Sequence, residues 1–298
     1  MILSSLRSGI LTIKQNKKMI AIYYFFNLIF GLVVALPVYA GINRFTSHTL
    51  MSEKLGGSFD MDFFFEFLIK SPDIFNTLRF TIVIVAFLYW LWSLFLSGGA
   101  YFILISKNDY TGSLFWAGAA NYFGRFFRLF LWSIPLFGIL YSTQFIVTAI
   151  QLLLYGSDPY QNIIWWGAWI RVGIGYIGIL IYYLVLDYAR IDVVINNETK
   201  MRRALWYGIK FTFRNFFKTF SLSLMLFFIG IIVLVIYNPI ADSLHTPNAL
   251  IILILFIVQQ IYMFTRMTLK LTLYSSQVKL YNTLTPNEGI AEPPLENA

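Results

Sequence analysis

Six long apolar runs alternate with short polar or basic segments, and this alternation predicts six membrane-spanning helices. The runs cover about residues 19–42, 79–105, 129–154, 163–186, 220–240 and 250–264. The last continues in helical pattern through Arg266 and Lys270 to Tyr281. Gly98-Gly99 interrupts the second run, Pro135 predicts a kink in the third, and Asn238-Pro239 with Pro247 predicts a turn after the fifth. For the first run a cleaved signal peptide competes, because Val38-Tyr39-Ala40 resembles a cleavage site. The run is long for the apolar region of such a peptide, so a retained span is expected.

Between the spans, one stretch occurs twice. Arg203 to Phe220, RALWYGIKFTFRNFFKTF, overlies Ser113 to Phe130, SLFWAGAANYFGRFFRLF, at a shift of ninety positions. Trp206 falls on Trp116, Gly208 on Gly118, Phe216 and Phe217 on Phe126 and Phe127, and Lys218 on Arg128. At helical spacing the second copy gathers Leu205, Trp206, Ile209, Phe213, Phe216, Phe217 and Phe220 on one face. Arg203, Tyr207, Lys210, Arg214 and Lys218 fall on the other. A basic, aromatic amphipathic helix of this kind belongs at a membrane surface, with rings among acyl chains and cations at headgroups. The first copy keeps the apolar face and carries Asn121, Arg125 and Arg128. Both copies read as elbows that turn the chain along the membrane plane.

The shift spans one out-to-in-to-out passage, so the sequence predicts a parallel internal repeat, with units at about 80–154 and 164–240. Residues 1–18 predict a short interfacial helix bearing Arg7, Lys14, Lys17 and Lys18. Residues 43–77 predict an outer acidic helix carrying Asp60, Asp62, Glu66 and Asp73 after a Gly56-Gly57-Ser58 link. Residues 19–282 then form one membrane domain, and 283–298 have the composition of a flexible tail. The expected fold class is all-α and integral to the membrane, with cytoplasmic amphipathic helices.

Composition agrees. Charged residues make up 12% of the 298, where a soluble domain carries about a quarter. Cations decide orientation. Residues 1–18 hold four Lys and Arg, 107–128 three, 187–218 seven and 266–298 three. Four lie on the opposite side, Arg44, Lys54, Lys70 and Arg79, so both termini are expected in the cytoplasm of a bacterial inner membrane. The net charge of +8 sits beside apolar spans, which favours anionic lipid headgroups over nucleic acid as the counter-charge. With no cysteine, thiolate chemistry and disulfides are excluded.

The hydrophilic turn into an aromatic-basic helix, the Asp187-Tyr188-Ala189-Arg190-Ile191 segment and the closing RMTLKLTLYSSQVKLY resemble an uncharacterised bacterial six-span family. That family is similar to the membrane domain attached to some glycerophosphodiester phosphodiesterases. The resemblance covers roughly residues 80–282 and implies a helical membrane module. It carries no catalytic residues over, because the phosphodiesterase domain is absent from the chain.

Few residues offer chemistry. Arg171, inside the fourth span after Trp165, Trp166 and Trp169, either binds an anionic group or snorkels outward. Asp187 and Arg190 lie one helical turn apart and can pair. They form a gate, or a brace to Arg125, Arg128 or Arg266, and the brace is favoured. Asn27, Gln144, Gln151, Gln259 and Gln260 lie within spans, where amides bond between helices or line a path. His48 and His245 fall in outer loops and do not form a metal site, and Asp60 with Asp62 reads as a solvated stripe. No nucleophile triad, zinc motif or nucleotide loop is present, and no cofactor is expected.

The reading that follows is a non-enzymatic membrane module, an accessory subunit or a lipid-interacting scaffold. Its surface residues are Lys210, Arg214, Lys218, Arg125, Arg128 and Arg171, and Asp187–Arg190 is a structural ion pair. Its partners are anionic phospholipids, with a membrane protein or a second copy of the chain as further candidates. The runner-up is a transporter or flippase of a lipid or small anion, motivated by the repeat and the intramembrane amides. An intramembrane lipid enzyme ranks third.

Overall fold

The computed structural model describes residues 1–47, 61–106, 110–243 and 248–285. Every regular element among them is an α-helix: α1 Ile2–Gln15, α2 Lys17–Thr46, α3 Met61–Lys70, α4 Pro72–Ser106, α5 Gly112–Ser142, α6 Phe145–Tyr155, α7 Gln161–Ile195, α8 Met201–Arg214, α9 Phe216–Ser243 and α10 Ala249–Leu284. His48, Asp60, His245, Pro247, the Gly56-Gly57-Ser58 link, the Lys107-Asn108-Asp109 turn and the tail beyond residue 285 lie outside the described residues.

Six stretches are long and apolar enough to cross a bilayer: Lys17–Thr46, Ile74–Ser106, Gly112–Tyr155, Gln161–Ile195, Phe216–Ser243 and Ala249–Leu284. The protein is a multi-pass membrane protein. Bilayer-sized helices satisfy every backbone polar group internally, which a chain this apolar requires.

Two junctions differ from expectation. Pro135 lies inside α5, which stays helical to Ser142, and the helix breaks at Thr143-Gln144, where the Thr143 hydroxyl donates to the Leu140 carbonyl at 2.7 Å. Pro239 lies inside α9, which runs on to Ser243 where a turn was expected. The first repeated stretch continues into its span as one helix, with no elbow near Arg128. The second does break, at Asn215. Its backbone N–H and its side-chain amide both donate to the Phe211 carbonyl, and its own carbonyl accepts from Thr219. A short polar side chain that serves the chain on both sides stabilises such a joint. Arg125, ninety residues earlier, has no such geometry available.

The chain forms two compact units. One comprises Met1–Thr12, Ser97–Leu224 and Leu273–Ala298; the other comprises Ile13–Leu96 and Met225–Thr272. In the first, the C-terminal half of α7 is the core. Leu184 to Ala189 and Ile191 to Ile195 are all buried, and α5, α6 and α8 pack on α7. In the second, aromatic contacts dominate. Phe26 meets Trp92 at 4.7 Å, Phe30 meets Tyr89 at 5.5 Å, and Tyr237 stacks on Tyr262 at 4.5 Å. Tyr24 donates to Gln260 Oε1 at 2.8 Å, and Lys270 donates to Ser93 at 3.1 Å. Gln260 is thus engaged in a bond between helices, while Gln259 is exposed.

Candidate functional site

Asp187 and Arg190 sit just past the apolar run of α7, where the helix is buried on nearly every side. Arg190 Nη1 donates to Asp187 Oδ1 at 3.2 Å. Gln277 Nε2, from α10, donates to Asp187 Oδ2 at 3.1 Å. Gln277 of α10 thus ties the pair to a second helix, and a neutral amide there adds no third charge to desolvate.

Aromatic rings surround the pair. The Arg190 guanidinium lies 5.8 Å from the centre of the Phe126 ring. Tyr101 packs on Phe126 at 6.3 Å and on Tyr274 at 4.7 Å. The phenols of Tyr101, Tyr182 and Tyr274 lie within electrostatic range of Arg190. Tyr182 and Ser133 share a buried hydrogen bond of 2.8 Å. Arg190 Nε and Gln277 Oε1 are buried and find no hydrogen-bond partner among the described residues. Charge-assisted bonds and cation–π contact hold the guanidinium without committing all its donors.

Beside the core, α8 buries Met201, Ala204, Leu205, Gly208, Phe211 and Thr212. Gly208 carries the crossing: a Cβ there would stand 2.8 Å from both the Val185 carbonyl and the Ala189 Cβ. Trp206, Phe213 and, beyond the joint, Phe217 are exposed, together with Arg202, Arg203, Lys210, Arg214 and Lys218. The inward face thus combines the small Ala204 and Gly208 with Met201, Leu205 and Phe211, while Trp206 and Phe213 face out. Close helix approach needs small side chains, whereas rings that meet lipid lose nothing by facing out.

Between α7 and α8 the chain turns at Asn197, the one non-glycine residue with positive φ among those described, at 46°. Its side-chain oxygen accepts from Arg125. The Glu198 carboxylate accepts from the backbone N–H of Lys200 and lies near Arg203, which holds its pKa below the usual carboxylate value. Asn tolerates the left-handed region, and a β-branched residue does not. An Asn197→Val protein is expected to lose about 1–2 kcal/mol, and Asn197→Gly less, in denaturant titrations in mixed micelles.

Arg171 is half-buried in α7 and donates to Thr148 of α6 at 3.3 Å. It belongs to a seam in which Gln151 bonds the Ile163 carbonyl, Gln144 lies over Gly175, and Gly178 meets the Leu140 carbonyl. Arg128 is exposed and bonds within its own helix, to Gly124. The structure therefore scatters the proposed surface cations: Lys210, Arg214 and Lys218 line one side, Arg125 is engaged with Asn197, and Arg171 lies in a separate seam. Gln277, Tyr101 and Tyr274 were missed in the sequence, which gives no local signal for them.

Among the described residues, no group of three or more His, Cys, Asp or Glu is placed to hold a metal. No known protein family, curated protein or solved structure matches the chain.

Proposed function

We propose that the protein is a non-enzymatic scaffold of a bacterial inner membrane whose cytoplasmic surface engages anionic phospholipid. The observation that carries this reading is the outer face of α8 and the start of α9. There Arg202, Arg203, Lys210, Arg214 and Lys218 are exposed beside the exposed rings of Trp206, Phe213 and Phe217. Cations at headgroup level and rings in the adjoining acyl layer are what an interfacial amphipathic helix presents. The excess of Lys and Arg near this end of the spans supports a cytoplasmic setting.

The ninety-residue repeat read from the sequence would support the scaffold reading further. Gly118 and Gly208, ninety residues apart, each lie against the preceding span, at Phe102 and at Val185 with Ala189. A repeat of this kind would put two similar helices at one membrane face, the second with more charge.

The test is lipid retention. Full-length protein purified gently from membranes should keep phosphatidylglycerol or cardiolipin in preference to zwitterionic lipid. A Lys210→Glu/Arg214→Glu/Lys218→Glu protein should lose most of that preference. Each cation near an anionic surface contributes about 1 kcal/mol, so the expected drop is about a hundredfold. An unchanged lipid profile, read by native mass spectrometry, would sink the proposal. Vectorial flux of a lipid in reconstituted vesicles would favour the transporter reading instead.

A further inference from the structure

On the α6–α7 seam one cation is left without an anion. Arg171 Nη1 donates to the Thr148 hydroxyl oxygen at 3.3 Å, and among the described residues no carboxylate pairs with it. Thr148 in turn has a hydrogen to give. At Thr143, Thr265 and Thr268 the hydroxyl donates to a backbone carbonyl of its own helix. Thr148 instead meets α7, and its hydrogen has no acceptor among the described residues. The remaining guanidinium N–H groups and this O–H stand side by side as donors, and a guanidinium keeps its charge even beside apolar surface.

The place is open. Thr148 is exposed and Arg171 half-buried, and neither the guanidinium nor the hydroxyl is enclosed by protein. A helical side chain leans toward the N-terminus of its helix, so Arg171 leans toward Trp165, Trp166 and Trp169. Those three rings are exposed, the setting of an aromatic belt at a membrane interface. Toward the other end of the seam Phe145 and Ile146 of α6 and Tyr176 and Ile177 of α7 are exposed as well.

We propose that Arg171 and Thr148 bind the phosphate of one phospholipid, in the leaflet opposite the α8 surface. Arg171 stands about 36 Å along α7 from Ile195, where the chain turns toward α8, and a bilayer's hydrocarbon core is ~30 Å thick. A guanidinium edge and a hydroxyl match the oxygens of a phosphate, whose charge supplies the missing anion. The acyl chains then lie over Phe145, Ile146, Tyr176 and Ile177, contacts that a soluble phosphate lacks. Snorkelling alone would leave the Thr148 hydroxyl without a role. Recognition through the phosphate makes zwitterionic and anionic phospholipids equivalent here, unlike at α8.

The proposal does not rest on the α8 reading, so its test uses the Lys210→Glu/Arg214→Glu/Lys218→Glu background. Full-length protein is stripped of lipid in detergent and titrated with phosphatidylethanolamine or with diacylglycerol of the same acyl chains. Bound copies are counted by native mass spectrometry. One saturable copy of phosphatidylethanolamine, absent for diacylglycerol, is expected. Arg171→Leu should weaken it about thirtyfold, the loss of charge-assisted bonds, and Thr148→Val about fivefold. Equal retention of the two lipids, or full retention by either variant, would overturn the proposal. Glycerophosphate is the second arm. A thermal midpoint raised by it as much as by phosphatidylethanolamine would overturn the lipid assignment in favour of a soluble phosphate, and no shift at matched concentration supports the lipid. Should Arg171→Leu fail to fold, Thr148→Val and the two-lipid comparison decide.

Discussion

An Arg190→Met protein is expected to be about 3–5 kcal/mol less stable than its parent. The substitution keeps volume and apolar contact with Phe126 but leaves the Asp187 carboxylate charged, buried and short of its cation. Gln277 still donates to it, and one amide bond does not replace a guanidinium. Adding Asp187→Leu should recover most of the loss, because a buried pair exchanged for apolar side chains is often neutral. The measurement is an unfolding titration in mixed micelles on the single and double variants. Equal stability of Arg190→Met and its parent would mean that the carboxylate is hydrated and the pair is not a core element.

Gly208→Leu should detach α8 from α7. Two of the three atoms nearest an added Cβ, the Val185 carbonyl oxygen at 2.8 Å and the Ala189 nitrogen at 3.0 Å, are backbone. No rotamer change relieves that clash, so the helices must separate, at a cost of about 1–3 kcal/mol. The loss should be local. Hydrogen exchange should quicken across residues 201–214 while the interior of α7 changes less. Gly124→Leu on α5 is the control, since nothing lies within 4 Å of a Cβ there. It should change stability by no more than about 0.5 kcal/mol. Equal protection of α8 in both variants would refute close packing at Gly208.

The spans were legible because runs of twenty or so apolar residues have few other uses. Their ends and faces were less so. Trp206 and Phe213, expected among acyl chains, stand 69% and 54% exposed, while Leu205 of the same expected face is buried. In lipid an apolar ring gains nothing by turning inward, and it is Ala204 and Gly208 that mark the packed side. The turn expected at Asn238-Pro239 did not form there, because a long apolar helix continued through Pro239 to Ser243. Asp187 and Arg190 announced their pairing by spacing. Gln277 lies ninety residues from Asp187 along the chain, and Tyr101 and Tyr274 were hidden among 19 tyrosines and 30 phenylalanines.

One consequence concerns biogenesis. The unit that contains the ion pair is assembled from Met1–Thr12, Ser97–Leu224 and Leu273–Ala298. Its late contributors Gln277 and Tyr281 leave the ribosome after their partners Asp187 and Tyr207. Until then α7 has already been threaded into the bilayer with Asp187 and Arg190 lacking Gln277, and Tyr207 lacking the Tyr281 hydroxyl. A nascent chain stalled before Leu273 therefore displays a polar scar on a membrane helix.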